Sequence, residues 1–308
     1  MKWTPGTEND DVIDERGDGG GGYSGGGGFG GGGGFGPLHY GGGGIGLLIV
    51  GVIVSRMLGI DVTGLFSHHG PPTSGYQQPP RRHDDRPHPP SGVDPDKPLV
   101  DFVKFVMKDV QDTFEAELKA EGKPYRHAKL VLFSHEIDTG CGRSSSAIGP
   151  FYCPADERAY IDLSFYRELR ERFGAPGDFA QAYVLAHEIG HHLQKLFGTE
   201  ARVEAAGRGR NRNDLSVRTE LQADCFAGVW GHAAQGRKIL EAGDLEQAIT
   251  AATAIGDDRL QRDAGRAVNP ETFTHGTSAQ RVKWFRVGFE HGKFEACDTF
   301  AARSSREL

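Results

Sequence analysis

The sequence predicts an α+β fold, one mainly helical domain with a small β-sheet, confined to the last two thirds of a 308-residue chain. Apolar residues recur at helical spacing over 178–198 and again over 213–236. Two short segments, KLVLF at 129–133 and AYIDLSF at 159–165, have the β-branched and aromatic alternation of strands. The first third is low in complexity, which leaves roughly 205 residues for packed structure. That is ample for one core and short for two.

The N-terminal third reads as three spacers. Of the 46 glycines, 20 fall between Gly17 and Gly46 without a three-residue period, which excludes collagen. Residues 8–18 are acidic, and such a stretch cannot bury enough apolar area to offset chain entropy, so residues 1–44 are expected to form a disordered glycine-rich tail. Ile45–Phe66 follows as an apolar segment interrupted by Arg56. Arginine near one end can snorkel to headgroups, so residues 45–66 are expected to contain a single transmembrane anchor, with a buried helix as the alternative. A cleaved signal peptide fits poorly, because acidic sequence precedes an apolar run that begins late. Residues 67–97 are proline-rich and read as a stiff linker, in which His68, His69, His83 and His88 are taken as solvated. The folded domain is then expected over 98–302.

A formal net charge of −7 spread over the chain argues against a general nucleic-acid binder. The four cysteines, Cys141, Cys153, Cys225 and Cys297, all fall in the expected domain. The short turn-rich loop between Cys141 and Cys153 favours pairing those two, and Cys225 with Cys297, over the other connectivities. Two disulfides would place the domain in an oxidising compartment outside the cytoplasm, in the cell envelope. Four reduced, packed cysteines are the alternative.

The chemistry concentrates on two helices. In the first, DFAQAYVLAHEIGHHLQKLFG, Asp178 is the expected N-cap and Gly198 the stop, and His187, Glu188 and His191 form H-E-x-x-H. Spacing of i, i+4 puts both imidazoles on one face, where two nitrogens can reach one Zn2+ ion, with Glu188 beside it as a base. Two surface histidines are the plainer alternative, and they would need no third ligand. The second helix, NDLSVRTELQADCFAGVWGHAAQG, supplies one: Glu220 completes two imidazoles and a carboxylate, the ligand set of a catalytic zinc site. Asp224, one turn on, can accept the other ring N–H of a ligand histidine. His192 points about 100° away around the first helix and is expected outside the ligand set. His275 precedes a helix with capping-box spacing between Thr277 and Gln280. Its position at a helix N-terminus would keep it neutral and able to hydrogen-bond an oxyanion, unless it merely orders the turn.

HEIGHH with RTELQADCFAGVW, CGRSSSAIGPFYCPADERAYIDLSFY upstream and THGTSAQRVKWFRVGFEHG downstream resemble the bacterial putative neutral zinc metallopeptidase family. More broadly the pattern is similar to the gluzincins, with H-E-x-x-H and a later E-x-x-x-D. The resemblance covers roughly residues 98–300. It implies a zincin-like domain with His187, His191 and Glu220 as zinc ligands, Glu188 as catalytic base and Asp224 as partner to a ligand histidine. It also implies an edge strand that holds an extended peptide, for which Tyr160–Leu163 is the expected segment. Arg208, Arg210 and Arg212 read as a solvated loop. The expectation is a membrane-anchored zinc metalloendopeptidase acting on a protein or peptide substrate. A membrane-tethered zinc-binding assembly or chaperone factor with weak or latent hydrolysis is the alternative.

Overall fold

The computed structural model describes residues 1–16, 94–206, 212–302, 304, 307 and 308. The glycine run from residue 17, the apolar segment 45–66, most of the proline-rich linker, and Arg208 and Arg210 lie outside these residues. Among the described residues no helix is long and apolar enough to cross a membrane.

A four-stranded sheet runs in the order β1 (Val12–Asp14), β2 (Lys129–Phe133), β6 (Arg158–Asp162), β5 (Phe151–Cys153). β1, β2 and β6 are parallel, and β5 returns antiparallel to β6. A separate hairpin pairs β3 (Glu136–Thr139) with β4 (Gly142–Ser145). The helices are α1 (Lys97–Ala120), α2 (Ser164–Glu171), α3 (Asp178–Leu196), α4 (Thr199–Ala206), α5 (Arg212–Gly236), α6 (Asp244–Ala254), α7 (Asp257–Asp263) and α8 (Ser278–His291). The mainly helical α+β expectation therefore stands. So do the disulfides, which pair Cys141 with Cys153 and Cys225 with Cys297.

β2 explains how the core divides. Alternate side chains of a strand point to opposite faces. Leu130 and Leu132 join the main core with α1 and α3, while Val131 and Phe133 pack with Phe151, Cys153 and Tyr160 on the other side. α3 is buried almost all round, as a helix enclosed by a sheet and other helices must be. Gly190 lets it approach α5 closely: a Cβ there would meet the Ala223 backbone at 3.1 Å. α5 and α8 come closer still, since a Cβ on Gly228 would lie 2.1 Å from the Phe285 carbonyl oxygen and one on Gly288 would lie 1.9 Å from that of Cys225. These contacts set the distances between the helices that carry the site.

Three expectations need correction. Residues 1–16 are not a tail: β1 pairs with β2, and Met1 and Trp3 pack onto the main core. Two β-branched residues, Val12 and Ile13, in an acidic run suffice for a strand when a buried neighbour supplies its edge. The domain accordingly includes residues 1–16 as well as those from Asp94 onward. Second, β6 lies inside the sheet, paired on both sides, so Tyr160–Leu163 is not an edge; β5 is. Third, the N-cap of α3 is Gly177, with Asp178 in the first turn.

Replacing Gly228 by alanine should push α8 off α5, because a carbonyl on a packed helix cannot turn aside. The expected loss is about 1–3 kcal/mol, lowering the melting temperature by about 2–4 °C per kcal/mol. Gly236→Ala, where a Cβ meets nothing within 4 Å, should leave melting unchanged or slightly raised. Equal melting temperatures for the two variants would contradict the packing.

Candidate metal centre

α3 presents His187 and His191 one turn apart, and the α3–α5 crossing brings Glu220 against them. Ligand atoms of the three side chains lie within 4.8 Å of one another. The two Nε2 atoms are 3.2 Å apart, and Glu220 Oε2 is 3.2 Å from His187 Nε2, with Oε1 3.6 Å from His191 Nε2. His187 and Glu220 are buried, while the His191 side chain keeps 16% of its area exposed, so the cluster opens to solvent on that side.

The outer hydrogen bonds determine what this cluster needs. His187 Nδ1 faces Asp224 Oδ1 at 2.9 Å, and a carboxylate only accepts, so Nδ1 donates. His191 Nδ1 faces Gln194 Oε1 at 2.9 Å, and that amide is oriented by its Nε2, which donates to the Thr219 carbonyl at 2.7 Å. Both neutral rings then direct bare Nε2 lone pairs at each other and at a carboxylate. Only positive charge between them reconciles the three. With a proton in that role, burial pushes the His187 ring down, but Asp224 and the Glu220 hydrogen bond outweigh it, and its pKa is pushed up to about 9. A divalent cation with nitrogen and oxygen preference fits the same donors.

Asp224 is itself held from three sides. Arg281 donates from Nε to Oδ2 and from Nη2 to Oδ1, each at 2.8 Å, and the Tyr183 hydroxyl donates to Oδ1. All three side chains are fully buried. Burial pushes the Asp224 carboxyl up, but Arg281 and His187 draw it below its ordinary value. Glu220 behaves alike: burial raises it, while His191 and the His187 hydrogen bond hold it well below the usual carboxylate range. Tyr183 and Arg281 were not expected from sequence. Tyr183 stands one turn before His187 on the same face, so helical spacing was the available signal for it, whereas nothing local marks Arg281.

Glu188 adjoins the cluster and is 7% exposed. Burial raises its carboxyl more than His191 and His187 lower it, the direction a proton acceptor near neutrality requires. The buried Tyr166 hydroxyl, within electrostatic reach of Glu188, has no hydrogen-bond partner among the described residues.

His275 lies in the turn before α8, close enough to feel the charge of Glu220. The Thr277–Gln280 capping box is formed. The expected neutrality of His275 is opposed by a residue that sequence reading did not find. Asp257 Oδ1 faces His275 Nδ1 at 3.2 Å, while Oδ2 accepts the backbone N–H groups of Thr274, His275 and Gly276 at 2.6, 2.6 and 3.1 Å. Burial pulls the imidazole down, yet the Asp257 hydrogen bond and charge raise it overall. His192 is outside the ligand set, as expected, but in the core: Nδ1 meets the Tyr152 hydroxyl at 2.9 Å and Nε2 the Arg126 carbonyl at 2.6 Å.

The family model described as putative neutral zinc metallopeptidase matches residues 1–300. The chain is 46% identical over 307 residues to "Uncharacterized protein YpfJ" of Escherichia coli K12, covering 97% of this chain and 99% of that one. It is also 46% identical over 189 residues to "Uncharacterized protein Mb2605" of Mycobacterium bovis, covering 58% of this chain and 64% of the relative. No solved structure matches.

Asp224→Asn keeps the shape but loses the acceptor that fixes His187. Zinc affinity, measured by chelator competition, should fall about 10–100-fold with the circular dichroism spectrum unchanged. An NMR titration of His275 in zinc-free protein should give a pKa above 6.5. Asp257→Asn should lower it, because the hydrogen bond and charge that raise it most are removed while burial and the Arg281 charge remain. An unchanged value in that variant would break the dyad.

Proposed function

The chain belongs to the putative neutral zinc metallopeptidase family, and on that premise we propose that it is a zinc-dependent endopeptidase of the cell envelope. The observation that carries this reading is the convergence of His187, His191 and Glu220 on one cation position, with Glu188 beside it. Zinc held there would supply a Lewis acid that polarises a carbonyl and acidifies water. The chain's own groups supply the rest. Glu188 takes the proton from the attacking water and returns it to the leaving nitrogen. His275 donates through Nδ1 to Asp257, which favours the protonated ring, and in that form its Nε2–H donates to the oxyanion that develops on the substrate carbonyl.

The outer edge of β5 supports an extended protein or peptide as substrate. Tyr152 in the middle of β5 is tied to α3 through His192, so this edge runs beside the helix that carries His187 and His191. Strand pairing reads backbone, which every residue of a chain offers, rather than a terminus, and that favours internal cleavage. The two disulfides support an oxidising compartment.

Glu188→Gln should lower kcat/KM on an unfolded protein such as labelled casein by about 10²–10⁴-fold while zinc content stays at wild-type level. His187→Ala should lose zinc and activity together. Cleavage retained by the Glu188→Gln protein would remove the proposed base and, with it, this reading.

A further inference from the structure

A chain that crosses a bilayer once leaves its two flanks on opposite faces. Here the flanks of the apolar stretch 45–66 are residues 1–16 and residues from 94 onward, and they form one fold. β1 pairs with β2 in register from Val12 opposite Leu130 to Asp14 opposite Leu132. Glu15 N–H donates to the Leu132 carbonyl at 2.8 Å, and Leu130 N–H to that of Asp11 at 2.7 Å. The Asp11 carboxylate accepts from Lys129 Nζ at 2.7 Å and Gln111 Nε2 at 2.9 Å.

Contact extends well beyond the strand. Trp3 packs edge-on to Phe102 of α1, with ring centroids 5.5 Å apart, and its indole N–H donates to Asp178 of α3 at 3.3 Å. Asn9 donates to the Lys104 carbonyl at 3.1 Å, and Lys2 N–H to the Ile239 carbonyl at 2.8 Å. The segment therefore touches α1, β2, α3 and the turn before α6. Its last described residue meets the first residue after the gap: Arg16 Nη2 is 2.7 Å from Asp94 Oδ2, and Nη1 is 3.5 Å from Asp96 Oδ2. Chain that departs at Arg16 returns at the same spot.

We propose that residues 1–16 and the metal-site domain lie on the same side of any membrane the protein meets, so that it is not a single-pass protein. Two full crossings would need about 40 apolar residues. Ile45–Phe66 is about half that length and carries Arg56 and Asp61. This inference replaces the single-span expectation and does not depend on the hydrolytic reading.

Two protease-cleavable epitopes test it in the full-length chain, one inserted at the exposed Pro5–Gly6 turn and one at the exposed turn of Gly122. In spheroplasts both should be cut before lysis, or both only after it. One cut before lysis and the other only after would overturn the proposal. A second measurement is independent of tags. Ile13→Asp should lower the melting temperature of the purified full chain by several degrees, and Glu8→Ala, at a side chain 88% exposed, should not. An unchanged melting temperature for Ile13→Asp would detach β1 from the fold and overturn the proposal as well.

Discussion

The buried carboxylate of Asp224 is the group on which the rest of the site depends. It fixes the His187 tautomer, and it can stay ionised only because Arg281 reaches it from α8 with two hydrogen bonds. A lone buried carboxylate would take up a proton instead. Arg281 reaches it because α8 lies almost backbone to backbone on α5, at Gly228 and Gly288. A requirement of charge at one atom therefore becomes a requirement for two glycines a turn or more away. Tyr183 adds α3 to the same knot, so one carboxylate joins the three helices that build the centre.

Helical spacing made the centre legible in the sequence. His187, His191 and Glu220 could be placed because two i, i+4 pairs, each on a segment whose caps and apolar residues mark a helix, leave little freedom in which faces meet. Arg281 and Asp257 were not legible, because a buried ionic partner is chosen by tertiary position and an exposed arginine or aspartate looks the same in sequence. His275 shows the consequence. A helix N-terminus predicts a neutral ring, but a carboxylate at hydrogen-bond distance acts more strongly than a helix dipole. β1 was hidden for another reason. Composition averaged over the first 44 residues is dominated by the glycine run and misdescribes the first sixteen, and a parallel partner more than a hundred residues away leaves no local trace. The interior place of β6 was likewise a matter of sheet order, which alternation does not encode.

The second histidine of the candidate centre is held by a neutral relay. His191 donates to Gln194, which donates to the Thr219 carbonyl and to Gln222 Oε1, and Gln222 donates to the Cys297 carbonyl. Cys297 is in turn bonded covalently to Cys225, one turn after Leu221 on α5. Each amide is fully or nearly buried, so every donor left unpaired would cost about 1–3 kcal/mol. The disulfide thus ties down the last carbonyl of a relay that begins at the outer ring nitrogen, Nδ1, of His191. Charge holds one imidazole and satisfied amides hold the other, which leaves both rings little room to turn.

Glu188 and Glu220 show how neighbouring carboxylates take different parts. Both are buried, and burial raises both. Glu220 receives a hydrogen bond from His187 and the charge of His191, and these together overcome burial and keep it ionised as a ligand. Glu188 feels the same imidazoles more weakly, and the negative charge of Glu220 adds to burial, so its carboxyl stays raised. One residue is thereby suited to hold positive charge permanently and the other to take and release a proton. The separation follows from position: Glu220 faces the ring nitrogens across the α3–α5 contact and lies within hydrogen-bond distance of one, whereas Glu188 is carried on the imidazoles' own helix and meets them through charge alone.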